Sequence, residues 1–430
     1  MINSGMEYQH SVSLDIEKCK GCTSCVHHCP TEAIRIRDRH AVIDAMRCID
    51  CGECIRICPH QAKKALRDDL LDLQRYKWKI ALPAPSLYAQ FNNLDDVDFV
   101  LQGLLDIGFD DVFEVSRGAE LVTARTRQYL KRGDLPKPVI SSACPAIVRL
   151  IALRFPSLKE NILPLLPPME IAAAMAREQA LKDHPEFKKE DIGVCFISPC
   201  PAKMSYVKNG LPEYKSQVDV VVGFKDVYFL LINEMRYSRR PKTLSESGMI
   251  GIGWAASGGE ATALFNDAYL AADGIDNCIR VLDRIEGGDF PNLEFVELNA
   301  CPGGCVGGAM TIQDPFIAKA RLQTLRRFMP VSQNFVDEKD PIPENYFVKD
   351  MGSYTPLNRL SDNMAESMRM LKEIQALKDE LPGVDCGACG APNCRAFAED
   401  VVKGTASKYD CILTHLEDVK AYLREREEKA

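Results

Sequence analysis

The sequence predicts a central α/β domain with a small α+β module at its N-terminus and a small helical module at its C-terminus. Three observations lead there. Near the N-terminus one cysteine-rich unit occurs twice, about 29 residues apart. In the middle of the chain the apolar runs Ile192–Ile197 and Phe295–Leu298 each stop shortly before a cysteine, the pattern of buried strands whose ends carry a site. Near the C-terminus Met364, Met368, Leu371, Ile374 and Leu377 recur at helical spacing ahead of a further cysteine group.

The composition bounds the function. The 430 residues suffice for several domains, and 46% apolar with 27% charged residues is ordinary for a globular protein that buries real cores. A net charge of −8 argues against the basic face of a nucleic-acid binder. No apolar run approaches the roughly 18 residues a membrane span needs, and the segment Met1 to Asp15 is polar, without a signal-peptide core. Eighteen cysteines are the exception to this ordinary picture. A secreted disulfide framework is the bland reading of many cysteines. In a large chain without a signal peptide, clustered at short spacings, they fit metal or iron–sulfur ligation in a reducing cytoplasm better.

The N-terminal module is read from Cys19-x2-Cys22-x2-Cys25-x3-Cys29-Pro30 and its copy Cys48-x2-Cys51-x2-Cys54-x3-Cys58-Pro59. Close thiolates on a tight loop hold three corners of a cube, and a short helix brings the fourth across. This run is the two-cluster ferredoxin signature, in which the fourth cysteine serves the other cluster. One 4Fe–4S cluster is then expected on Cys19, Cys22, Cys25 and Cys58, the other on Cys48, Cys51, Cys54 and Cys29. A zinc site would use four cysteines, not eight in exchanged register. His27, His28 and His60 lie nearby and read as surface residues.

At the C-terminus the helical stripe is broken by Pro382 and Gly383, and Cys386-x2-Cys389-x4-Cys394 follows, with Cys411 beyond. Four cysteines alone also suit a zinc ribbon. Leu381-Pro382-Gly383-Val384-Asp385-Cys386-Gly387-Ala388-Cys389-Gly390 resembles the module that holds one 4Fe–4S cluster in corrinoid iron–sulfur proteins. Of the remaining cysteines, Cys195 within its strand and Cys278 on a helix read as core residues. Cys144, Cys200, Cys301 and Cys305 sit in Ser141-Ser142-Ala143-Cys144-Pro145, Ser198-Pro199-Cys200-Pro201-Ala202-Lys203 and Cys301-Pro302-Gly303-Gly304-Cys305-Val306-Gly307-Gly308. The glycines of the last segment are expected to let backbone approach a bulky inorganic ligand.

Together these three motifs resemble the catalytic domain of iron-only (FeFe) hydrogenases, over roughly residues 80 to 320. The resemblance implies an H-cluster: a 4Fe–4S cluster on Cys144, Cys200, Cys301 and Cys305, with Cys305 bridging to a diiron unit that carries carbonyl, cyanide and a dithiolate bridge. Ala84-Pro85-Ser86 matches the segment that bonds one cyanide, and Lys203 the lysine that bonds the other. Pro199, Ser198, Asn299 and Ala255 fall at further cofactor-lining positions. Gly253-Trp254-Ala255-Ala256-Ser257-Gly258-Gly259 resembles the family's glycine-rich loop; alone it could suggest a dinucleotide turn, but the full fingerprint is missing.

The departures are as informative. Where hydrogen-evolving members carry a proton-relay cysteine, this chain has Ala143, a methyl group with no exchangeable proton. The relay helix corresponds to Ala119–Tyr129, where the matching positions read Arg125, Thr126 and Tyr129, without a carboxylate. The family's methionines are replaced by Ser198 and Asn299, and its amide by Met169. These changes resemble the sensory branch of the family, whose members end in an extra cluster module.

The expected division is residues 1–78 as a ferredoxin-like domain with two 4Fe–4S clusters, 79–330 as the hydrogenase-like domain, 331–362 as a polar, Pro-rich linker or wrapping segment, and 363–430 as a helical 4Fe–4S domain. Leu135–Pro138 and Gly210–Glu213 read as surface loops. Leu416–Ala430 reads as a charged helix, and Arg236, Arg239, Arg240 and Lys242 as a basic patch, by default solvated. The implied cytoplasmic protein binds H2 and splits it heterolytically with slow turnover, in hydrogen or redox sensing. Its expected partners are protons, a ferredoxin-like electron carrier, diiron maturation proteins, a separate signalling protein, and a second copy through the C-terminal apolar stripe, although such a stripe is ordinarily core. The alternatives are a fully catalytic hydrogenase with another proton path and an iron–sulfur scaffold without a diiron unit.

Overall fold

The computed structural model describes residues 8–237, 241–337, 340–348, 350 and 360–428. Arg239 and Arg240 of the basic patch, parts of the 331–362 segment and the last residues of the charged tail lie outside the described residues. The chain forms two compact units. One comprises Met1–Val12, Ile49–Gly52 and Ala65–Tyr354; the other Ser13–Cys48, Glu53–Lys64 and Thr355–Ala430. Most of the N-terminal cysteine module and the C-terminal module, far apart in sequence, therefore share one unit.

In that unit β1 (Val12–Leu14) is paired with β4 (Lys63–Ala65), and β2 (Ile34–Arg37) forms an antiparallel hairpin with β3 (His40–Ile43). Asp38 and Arg39 turn this hairpin with φ of 48° and 67°, the left-handed geometry that a two-residue turn between twisted strands demands. The sequence repeat is a structural repeat as well. Short helices Ser24–His27 and Glu53–Arg56 occupy equivalent places, and left-handed residues recur in pairs at Gly21 and Asp50, Thr23 and Gly52, Glu32 and Gln61.

The C-terminal part consists of helices Met364–Glu380, Cys394–Val402 and Ile412–Glu428. Asn363 and Asn393 cap the first two, each accepting backbone N–H groups of the first turn. The first helix stops just before Pro382, as its sequence predicts. Its stripe divides: Ile374 is buried, whereas Met364, Met368 and Leu371 are exposed.

The larger unit is built on two parallel sheets. β5 (Trp78–Pro83), β6 (Asp111–Val112), β8 (Ile192–Ser198) and β9 (Val220–Gly223) lie in the order β6-β5-β8-β9. β7 (Val139–Ile140), β10 (Tyr269–Asp273) and β11 (Phe295–Asn299) lie in the order β10-β11-β7. All these pairings are parallel. β8 is buried along its whole length, which is why it reads as an apolar run rather than an alternation. Cys195 lies in β8 and Cys278 on helix Ile275–Glu286; neither is exposed, as expected of core cysteines.

Candidate active site

The parallel strands deliver cysteines to one place. β7 leads to Cys144, β8 to Cys200 and β11 to Cys301, so three thiols sit at the carboxyl ends of strands, where open α/β sheets bind ligands. Cys144 and Cys200 are the N-caps of helices Pro145–Arg154 and Pro201–Asn209. A proline at the first helical position has no N–H to leave unpaired there. Cys305 opens the turn Cys305–Gly307. Burial pushes the Cys200 thiol far up, and the nearby charges of Cys301, Cys144 and Cys305 add to this. Burial likewise raises Cys144.

Lys203 stands on the first turn of helix Pro201–Asn209, and its Nζ lies 3.4 Å from Cys305 Sγ. Burial opposes its charge, but Cys305, Cys200 and Cys144 outweigh this and hold the ammonium above the ordinary lysine value. Lys203 also counters the rise in both Cys144 and Cys200.

The glycines of the last cysteine segment act differently from expectation. Their close approaches are to protein backbone. A Cβ on Gly308 would stand 2.2 Å from the carbonyl oxygen of Pro199, and one on Gly304, at φ +93°, 2.4 Å from the nitrogen of Ser257. The loop is fastened to the same neighbours by Met310 N to Pro199 O, Val306 N to Ala255 O and Ser257 N to Gly303 O, each 2.9 Å. These glycines lock three loops together, and the cysteines follow.

Above Cys305 lies a pocket of about 590 Å³. Ala84, Pro85, Ser86, Ala143, Pro199, Lys203, Ala255, Asn299 and Cys305 all line it, and so does Met169. Ser198 does not. Its hydroxyl accepts from Cys200 N and donates to Cys200 O, both 3.1 Å, and so braces the Cys200 backbone. Ser86 is fully buried, and its hydroxyl has no hydrogen-bond partner. An orphaned donor and a charged ammonium beside thiols are what an anionic metal group with acceptor ligands requires. The residues fit the diiron unit.

Two carboxylates in this pocket escaped the sequence reading. Glu260 and Glu297 both line it, and both are buried. Glu297 accepts from Gly258 N, Ala261 N and Asn299 Nδ2 at 3.0, 2.8 and 2.7 Å. Glu260 accepts from Ser141 Oγ at 2.6 Å through one oxygen, while its other oxygen has no partner. The Ser141 hydroxyl in turn accepts from Ala143 N at 3.2 Å. Burial raises both carboxyls; the Glu297 charge pushes Glu260 further, well above the usual range, whereas backbone N–H groups restrain Glu297. Glu297 interrupts an otherwise apolar strand, and Glu260 directly follows the glycine-rich loop. Those were the signals available.

The helix expected to carry the relay, Val115–Arg132, offers the pocket only Val115 and Ala119. Arg125 bonds Gln128 Oε1 and Asp340 O, the Thr126 hydroxyl bonds Val122 O, and Tyr129 packs edge-on against Phe347. These positions hold structure.

In the other unit, Cys19, Cys22, Cys25 and Cys58 line one cleft of about 320 Å³, the exchanged register that the spacing predicts. Lys63 lines the same cleft; it is 3% exposed, and its ammonium has no hydrogen-bond partner. A buried cation without a bonding partner suits an anionic occupant. Ala62 N donates to Cys58 Sγ at 3.3 Å, and in the first copy Ala33 N donates to Cys29 Sγ at 3.2 Å. Burial would raise Cys58, but backbone N–H groups of Ala62, His60 and Lys63 bring it below the ordinary thiol value. Cys48 and Cys51 are buried, and Cys54 and Cys29 each pack against the apolar cluster of Cys25, Val26, Ile34 and Ala41. His27, His28 and His60 are exposed, as expected. Cys386, Cys389, Cys394 and Cys411 line a second cleft of about 370 Å³.

Comparison with known proteins agrees with this geometry. The family described as iron only hydrogenase large subunit, C-terminal domain, matches residues 77–309. A 4Fe-4S dicluster domain matches 11–59, and an Fe-S cluster family matches 381–413. The periplasmic Fe hydrogenase large subunit of Nitratidesulfovibrio vulgaris is 26% identical over 388 residues, covering 74% of this chain and 90% of that protein. Among solved structures, two variants of an FeFe-hydrogenase from Chlamydomonas reinhardtii are similar in fold: an apo variant is 17% identical at a TM-score of 0.46, and another variant is 16% identical at 0.47; each alignment covers 59% of this chain and 84% of the other. Among the described residues no helix is long and apolar enough to cross a membrane. With more than half of its length matched by one family model, and with that model's span containing Cys144, Cys200, Cys301 and Cys305, the chain belongs to the iron-only hydrogenase large-subunit family.

Proposed function

We propose that this hydrogenase-type protein binds H2 and splits it heterolytically at an H-cluster on Cys144, Cys200, Cys301 and Cys305, with slow turnover suited to sensing hydrogen or redox state. The carrying observation is the convergence of the unpartnered Ser86 hydroxyl and the Lys203 ammonium on the pocket above Cys305. A diiron unit bound there supplies a Lewis-acid iron and a bridge amine as base. Ser86 and Lys203 bind and orient its anionic ligands. Apolar walls at Pro85, Pro199 and Met169 exclude water. At the relay position Ala143 holds no proton, which is the basis for slow turnover.

Protons need another station, and Glu260 is suited to it. Burial and the neighbouring Glu297 charge raise its carboxyl well above the usual range, and Ser141 connects it to the Ala143 backbone. The same pair is the specific observation that favours the second reading, a hydrogenase with fuller turnover by a different proton path. Twelve further cysteines are assigned to three 4Fe–4S clusters: Cys19, Cys22, Cys25 and Cys58; Cys48, Cys51, Cys54 and Cys29; and Cys386, Cys389, Cys394 and Cys411. The four-part division expected from the sequence, a cytoplasmic setting, a ferredoxin-type carrier, diiron maturation proteins, a signalling partner and a homodimer belong to this same proposal.

Infrared spectra of the matured protein under argon and then H2 test it. Carbonyl and cyanide bands that shift with H2 are the expected result, and the turnover rate then separates sensor from enzyme. No bands, after a maturation that succeeds on a control hydrogenase, would leave an iron–sulfur scaffold.

A further inference from the structure

We infer that the C-terminal cluster site is docked onto the first N-terminal cluster site, so that these two clusters exchange electrons directly; the inference rests on the cluster assignments proposed above. The docking is built from charge and backbone. Arg35 and Arg37 on β2 both reach Asp400 on helix Cys394–Val402. Arg35 grips it in a fork, Nε to Oδ2 at 2.6 Å and Nη2 to Oδ1 at 3.1 Å, and Arg37 Nη2 lies 2.8 Å from Oδ2. Arg47 Nη2 meets Glu399 Oε1 at 2.6 Å. Both carboxylates are buried, Glu399 at 3% and Asp400 at 8% exposure. Forked Arg–carboxylate pairs fix orientation as well as contact.

These pairs press the C-terminal cysteine loop against the first cleft. Ile36 N donates to Gly390 O at 2.8 Å. Ile36 is itself a wall of the cleft that holds Cys19, Cys22, Cys25 and Cys58, and Gly390 directly follows Cys389. One residue and one hydrogen bond thus separate the loop of one site from the interior of the other. A second approach lies beside it. The His27 ring, two residues beyond Cys25, would stand 2.5 Å from a Cβ on Gly387, which adjoins Cys386. A Cβ on Gly390, at φ +84°, would stand 2.3 Å from Ile36 O. Gly390 therefore has no room for a side chain, and Gly387, at φ +70°, lies in the left-handed region that favours glycine.

Electron tunnelling weakens steeply with distance, and covalent and hydrogen-bonded routes carry it better than gaps. The transfer is a one-electron exchange. The donor cluster goes from the 1+ to the 2+ state and the acceptor from 2+ to 1+, with no atom moved. A ferredoxin-type one-electron carrier, or H2 oxidised at the active site, supplies the electron. The C-terminal module is then a terminal of the wire at the first-cluster end.

The test is electron paramagnetic resonance of the dithionite-reduced full-length chain, after iron and sulfide have been counted. Subtracting the spectrum of the Cys389→Ala full chain isolates the C-terminal contribution. Expected is a split, fast-relaxing signal that Arg35→Ala/Arg37→Ala loses in favour of a sharp, slowly relaxing spin of the same intensity. Asp400→Asn, which keeps the shape of the side chain, serves if the double variant does not fold. A sharp isolated spin in the unmodified chain, or splitting unchanged by both variants, overturns the inference. Absence of C-terminal iron in the unmodified chain would instead overturn the cluster assignment on which it rests.

Discussion

Replacing Lys203 by Met should release the diiron unit. The Nζ–Sγ separation of 3.4 Å corresponds to an attraction of about 5 kcal/mol between unit charges at an effective dielectric of about 20. Placing the ammonium out of water offsets part of this. Measured losses on removing one partner of a buried pair run to about 3–5 kcal/mol. A net loss of about 3 kcal/mol is therefore expected, or roughly two powers of ten in retention of the diiron unit. The assay is the intensity of the carbonyl and cyanide infrared bands per iron, followed through dialysis of the matured protein. Lys203→Arg keeps the charge and should retain most of the bands. The pH dependence follows from the raised lysine value. A cation whose pKa is raised on folding contributes fully below its unfolded value and is lost only as pH rises through the folded one, so retention in the parent should be flat from about pH 6 to about pH 9. If the Met variant keeps the diiron unit as firmly as the parent, with unshifted cyanide bands, the role given to Lys203 is wrong.

Ala143→Cys should restore a relay thiol and raise hydrogen turnover; no change in an H2 evolution assay would remove this position as the limit. Glu260→Gln should lower H2 turnover, read by H/D exchange, if Glu260 carries protons. Because its carboxyl is raised in the folded state, the parent loses stability as pH rises above the ordinary carboxylate value, toward the folded pKa. The Gln variant should therefore gain melting temperature relative to the parent at alkaline pH, and an equal pH slope in both would refute the assignment. Lys63→Met removes a buried positive charge from the first cleft and should lower that cluster's reduction potential in a redox titration followed by electron paramagnetic resonance. An unmoved potential would mean that the charge is neutralised elsewhere.

The cysteine groups were legible because they recur at short, fixed spacings, and because strands that end at a site leave an apolar run before the cysteine. Cys200 and Cys301 show this, and the exchanged partner Cys58 falls in the cleft where the spacing places it. What escaped was set by tertiary neighbours. Glu297 looks like a flaw in an apolar strand until Gly258, Ala261 and Asn299 come round to bond it. The glycines after Cys301 read as room for a ligand, yet their space is taken by Pro199 and Ser257. Ser198 lies close to Cys200 in sequence but turns its hydroxyl to backbone. The pairing of Arg35 with Asp400 spans most of the chain, and no local pattern announces such a contact.

That last pairing bears on how the protein is made. A ribosome delivers Arg35 and Arg37 well before Asp400. Until residue 400 emerges the two guanidiniums have no carboxylate to close upon, and Ile36 has no carbonyl from Gly390. Closing a loop of this length carries only a slowly growing entropic penalty, so the delay is one of sequence rather than of energy. The C-terminal contact that closes over Ile36 therefore forms only after residues 19 to 58 have long been made.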